Sequence, residues 1–151
     1  MTGTWLTSLM SGAVGAAALT LVHEAGRRRL PYAPRLDVLG MRALRRMSPF
    51  EHEAPRSSRL RRWALAGDLI ANSLYYAAIP ARTRRGTWGR AAALGLAAGA
   101  GALMAPPRLG LGDAPGSELR ANQAMTMAWY MAGALAAAAA ANGMRYGRLR
   151  E

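Results

Sequence analysis

The chain has 151 residues and a formal net charge of +12, and all 20 of its basic residues are arginine, with no lysine and no cysteine. The missing lysine excludes Schiff-base chemistry with retinal or pyridoxal and any lysine nucleophile. The missing cysteine excludes disulfides, thiolate catalysis, iron–sulfur ligation and Cys-based zinc sites. One domain over 1–151 fits this length, and a mean hydropathy of zero hides long charge-free stretches alternating with arginine-rich loops.

The first apolar segment, 5–22, runs from Trp5 to Val22 without a charge and is closed by His23, Glu24 and the Arg27, Arg28, Arg29 cluster. No positive charge precedes it and the basic cluster follows it, so a retained anchor with its N-terminus outside is expected over a cleaved signal. Beyond Pro31 and Pro34, segment 35–47 places Leu36, Leu39, Ala43 and Met47 on one helical face, with Arg35, Arg42, Arg45 and Arg46 elsewhere. This pattern predicts an interfacial amphipathic helix whose arginines hold acidic headgroups, or one packed on protein, with Pro49 ending it.

The second apolar segment, 63–79, contains Asp68, Asn72 and Ser73 and is the most polar of the set. The third, 91–105, carries Gly95, Gly99 and Gly101, is extended by a snorkelling Arg90 and is expected to stop at Pro106 and Pro107. The fourth, 124–141, is expected to follow a Ser117 N-cap with Glu118 in the first turn and to end at Asn142 and Gly143. The fold class expected is therefore all-α and polytopic, with about four short transmembrane helices plus one interfacial helix. Because the arginines flank apolar helices, the expected partners are anionic lipid headgroups, met by Arg28, Arg29, Arg42, Arg45 and Arg46, and not nucleic acid.

Arginine counts orient the chain: 11 lie between the first and second segments, 4 between the second and third, 2 between the third and fourth, and 3 in the tail. Four crossings put thirteen on one side and seven on the other, with the long loop cytoplasmic and the N-terminus periplasmic in a bacterial inner membrane. A second segment that dips in and returns gives a steeper division, eighteen against two. Four crossings are preferred because re-entrant backbone at membrane depth must be shielded by protein or a water-filled cavity.

Thr20, His23, Glu24 and Arg27 share one helical face, as do Asp68 and Asn72, so an intramembrane polar cluster of His23, Glu24, Arg27, Asp68 and Asn72 is expected. An ionisable group at membrane depth is costly, and Asp68 needs a partner, for which Arg27, Arg61 and His23 are candidates. The string His23-Glu24-Ala25-Gly26-Arg27 begins like the HExxH zinc motif, but Arg27 stands where the second histidine is required. Glu51-His52-Glu53 reads as a solvated loop, and His52 is a poor haem ligand there. No metal, cofactor or catalytic residue is assigned. The Gly-x-Gly strings near Gly99 and Gly110 follow no strand, which removes a nucleotide loop. Small residues four apart, including Gly12, Gly15, Gly67, Gly95 and Gly99, predict close helix packing in lipid.

The stretch Leu19–Glu24, Arg27-Arg28, Pro31, Ala33-Pro34-Arg35, Asp37 and Leu39–Arg42 resembles a group of uncharacterised small bacterial inner-membrane proteins, as do Gly67–Leu69, Asn72–Tyr76 and Leu109–Pro115. The resemblance covers most of the chain and implies four apolar segments without an assigned activity. The leading functional expectation is a non-enzymatic accessory or structural subunit packing on other membrane helices in a larger complex, with photosynthetic or respiratory electron transfer as candidate hosts. The alternative is a small homo-oligomeric transporter or channel using the His/Glu/Asp/Asn path. A membrane enzyme with His23 and Glu24 as acid and base is a third reading, for which nothing identifies a substrate.

Overall fold

The computed structural model describes residues 2–30, 33–47 and 57–147, and among these it is all-helical, with five helices and no strand. They are α1 (Thr2–Arg29), α2 (Leu36–Met47), α3 (Ser57–Tyr76), α4 (Arg84–Arg108) and α5 (Arg120–Gly147). At 1.5 Å per residue, α1 and α5 are about 42 Å long, α4 about 37 Å and α3 about 30 Å, each matching or exceeding a bilayer's hydrocarbon thickness. Two stretches, Trp5–Arg29 and Arg120–Arg145, are both long and apolar enough to cross a membrane.

Local chemistry sets most of the boundaries. Arg27, Arg28 and Arg29 occupy the last turn of α1, and Asp37 opens α2 while Arg45 and Arg46 close it, each sign matching the helix dipole. Thr83 caps α4, its hydroxyl oxygen accepting from the Gly86 amide at 3.0 Å. Pro106 and Pro107 do not stop α4 as expected; the helix runs on to Arg108, because Ala105 still accepts from the Leu109 amide at 2.9 Å. Gly110 and Gly112, at φ of 71° and 70°, then turn the chain through the left-handed region. Helix α5 starts at Arg120, later than a Ser117 cap would place it. Ser117 lies in the preceding turn and its carbonyl accepts from the Gln123 amide group at 3.1 Å. The expected end at Pro49 and the Glu51-His52-Glu53 loop lie outside the described residues.

Helix α1 packs between α5 and α3, α5 between α1 and α4, and α2 on α3. Helices α3 and α4 barely touch, and the Tyr75 hydroxyl of α3 donates to the Leu94 carbonyl of α4 at 2.9 Å. Tyr76 similarly donates to the Tyr130 carbonyl at 2.9 Å, tying α3 to α5.

The interior is built from small and hydroxyl-bearing residues. Ala16, Ala91, Ala134, Ala137 and Ala138 are buried with Thr7, Ser11, Thr87 and Thr126, and Tyr76 and Ile79 are the largest side chains fully enclosed. Leu19, Leu39, Leu60 and Trp129 are buried too, but most large apolar side chains face outward: Leu21 is 70% exposed, Trp63 and Ile70 62%, Leu74 61% and Trp5 58%. Close backbone approach follows from the small interior. A Cβ on Gly12 would overlap the Ser73 carbonyl of α3, and one on Gly15 would come within 2.7 Å of the Gly133 carbonyl of α5. Gly95 and Gly99 similarly admit Met131 and Met127 of α5. Gly67, expected at a packing face, has open space around it because α3 turns that side away from the bundle.

Candidate functional site

A cavity of about 770 Å³ lies between α3 and α4 and is lined by residues of all five helices. Leu19, Leu36, Leu39, Leu65, Ala102 and Pro106 supply apolar walls. Sequence-predicted polar residues line it as well: His23, Glu24 and Arg27 from α1 and Asp68 from α3, joined by Thr20 and by Tyr130 of α5.

The mouth is an ion-pair network joining three helices. The Glu24 carboxylate accepts from Arg27 at 2.7 Å and Arg28 at 2.8 Å on its own helix, and from Arg61 of α3 at 3.3 Å. Arg61 also approaches Asp37 of α2 at 3.4 Å, and Arg35 pairs with Asp37 at 3.1 Å. Shared carboxylates convert weak individual surface pairs into a connected clamp. Burial pushes the Asp37 carboxyl up, but the Arg35 hydrogen bond and the charges of Arg35, Arg61 and Arg27 outweigh it and hold the group below its ordinary value of 3.8.

The upper part of the cleft is less well satisfied. Asp68 faces the cleft and accepts from the Asn72 amide group at 2.9 Å, so the α3 pair forms as the spacing predicts. Arg27 and Arg61, expected as Asp68 partners, sit instead on Glu24, a turn or more nearer the mouth where α1 and α3 bring the three together. His23 shares the cleft with Asp68 and packs against Trp129 in a tilted arrangement, with ring centroids 5.0 Å apart. Among the described residues, His23 Nε2 and Thr20 Oγ1 are buried without a hydrogen-bond partner.

Of the arginines expected at headgroups, Arg42 and Arg46 are used within the chain. Arg42 donates to the carbonyls of Leu111 at 2.9 Å and Asp113 at 2.8 Å, and Arg46 to that of Leu109 at 2.8 Å. They bind the link after α4 because its glycine turns at Gly110 and Gly112 present the alternate carbonyls of Leu109, Leu111 and Asp113 to α2. Arg28 is committed to Glu24 but largely exposed, and Arg29 and Arg45 are exposed. Among the described residues no group of three His, Cys, Asp or Glu side chains is placed to hold a metal.

Trp129 and Tyr130 were not foreseen as site residues. Their signal was an adjacent pair of large aromatics in an otherwise alanine-rich segment. Trp129 covers Gly26 and His23, and Tyr130 closes the back of the cleft. Comparison of the chain with protein-family models, with curated proteins and with solved structures finds no match.

Proposed function

We propose that the chain is a four-span protein of a bacterial inner membrane and serves as a non-enzymatic accessory subunit, docking onto other membrane helices through α3. The carrying observation is the distribution of side chains: the interior is mostly alanine and hydroxyl-bearing residues with few large apolar ones, and most of the large apolar side chains are exposed. In water that arrangement forfeits the main driving force of folding, whereas in hydrocarbon it costs nothing and leaves close backbone packing to hold the helices.

Four crossings draw support from which ends meet. Arg42 and Arg46 of α2 bind the link between α4 and α5, while Arg145 near the end of α5 donates to the Ala81 carbonyl beyond α3. A helix that dipped and returned would bring the residues after α3 back beside α2. In the proposed arrangement α2 lies at the cytoplasmic surface and the N-terminus is periplasmic. Because the chain lacks cysteine, single cysteines placed at 82–87 are expected to label from the periplasmic side; labelling from the cytoplasm would make α3 re-entrant.

Docking is assigned to the outer face of α3, where Trp63, Ile70 and Leu74 are exposed around the open side of Gly67. A tagged chain purified in mild detergent is expected to bring stoichiometric membrane partners. Gly67→Leu should abolish their recovery while leaving thermal stability within about 0.5 kcal/mol, since the added side chain meets nothing in this chain. A monodisperse, partner-free monomer would contradict the accessory role. A second reading, a small transporter, draws on the polar wall formed by His23, Asp68, Thr20 and Tyr130. Reconstituted flux unaffected by Asp68→Asn and His23→Ala would remove it.

A further inference from the structure

The cleft between α3 and α4 combines features that a packing subunit does not need. Its mouth carries Arg27, Arg28, Arg61 and Arg62 against the carboxylates of Glu24 and Asp37, leaving the rim two charges positive. Its polar wall presents the Asp68 side chain. Between and beside these lie apolar surfaces from Leu19, Leu65, Ala102 and Pro106, and the volume is that of a small-molecule site.

The geometry points to a phospholipid-headgroup site: the cleft takes a head in which a phosphate is joined to a short arm bearing a hydrogen-bond donor, as in phosphoglycerol or phosphoethanolamine. Arg28, Arg61 and Arg62 hold the phosphate. Asp68 accepts from the donor arm, and the acyl chains leave through the gap between α3 and α4. The inference rests on the membrane placement argued above and is independent of the accessory role.

Three considerations lead to this occupant. Guanidinium forks match phosphate oxygens in geometry and charge, and Arg62 is exposed at the mouth with its charge available. Arg61 and Asp68 are two helical turns apart, about 10 Å along the axis, a span covered by an arginine side chain, a phosphate and a short polar arm. Finally, a carboxylate open to hydrocarbon is costly, so the side chain that faces this gap calls for a donor from whatever enters it. A phosphocholine head brings a cation with no N–H or O–H, so it meets Asp68 by charge without a hydrogen bond, which makes Asp68 the discriminating residue.

The test is lipid titration of the full-length, delipidated chain in detergent, read by native mass spectrometry. The probes are phosphatidylglycerol, phosphatidylethanolamine, phosphatidylcholine and free glycerol phosphate. The first two are expected to bind about tenfold tighter than phosphatidylcholine, the ratio one charge-assisted hydrogen bond supplies. Asp68→Asn should collapse that ratio, Arg62→Gln should weaken all three lipids, and Ala102→Phe should fill the cleft and remove binding. Equal affinity for phosphatidylcholine, or a ratio untouched by Asp68→Asn, would overturn the assignment. Glycerol phosphate competing on equal terms with phosphatidylglycerol would do so too, marking a site for soluble phosphate esters. A chain that needs no detergent to stay folded is a separate result, visible before any lipid is added, and it strikes the membrane reading itself.

Discussion

Gly15 and Gly67 are the same residue type in the same kind of motif, and the structure separates them completely. Gly15 is where α1, α3 and α5 converge, with the Gly133 carbonyl, the Ala137 methyl and the Tyr76 ring all within 3.0 Å of where a Cβ would stand. Gly15→Leu is therefore expected to destabilise the chain by more than about 3 kcal/mol, because two backbones must part, whereas Gly67→Leu should be near neutral in detergent. Thermal unfolding of both variants checks this, and equal losses would mean that α3 is turned differently. Asp37 gives a second residue-scale expectation. Its carboxyl is held below 3.8, so its contribution to stability is present above pH 3.8 and fades as the pH falls through the lowered native value. Asp37→Asn should lower the melting temperature near neutral pH and match the parent once the pH has fallen below the lowered native value; a gap that persists at the acid limit would show the loss is not electrostatic.

At the scale of elements, α4 shows which signals decide a boundary. Thr83→Ala removes the oxygen that accepts from the Gly86 amide and should cost about 1 kcal/mol, measurable as a lowered unfolding midpoint. An unchanged midpoint would show that the α4 start is fixed by the Thr87 and Arg90 contacts to the same turn. Apolar runs, arginine clusters and the amphipathic spacing of 35–47 made five helices legible in the sequence, since each is a local property of consecutive residues. The end of α4 was not legible, because Pro106 and Pro107 remove amide donors without preventing Ala105 from accepting the next available one. The work done by Arg42 and Arg46 was equally hidden: their acceptors lie more than sixty residues away and exist only once Gly110 and Gly112 have turned the chain. The site was legible in part. Asp68 with Asn72 and Glu24 with Arg27 follow from helical spacing, whereas bringing Arg61 to Glu24, or Tyr130 behind Asp68, required the helices to be docked.

The whole molecule is organised by what surrounds it. Its helices are held by glycine contacts, tyrosine hydroxyls reaching neighbouring carbonyls and an ion-pair network near the α2 end, while Trp5, Leu21, Trp63, Ile70 and Leu74 point outward. Such an exterior stays apart from other copies only where hydrocarbon or a partner helix covers it. The most direct measurement is fractionation of the untagged chain followed by an alkaline wash of the membranes. The chain is expected to remain in the pellet and to enter solution only with detergent. Recovery of a folded monomer in the detergent-free supernatant would contradict the account.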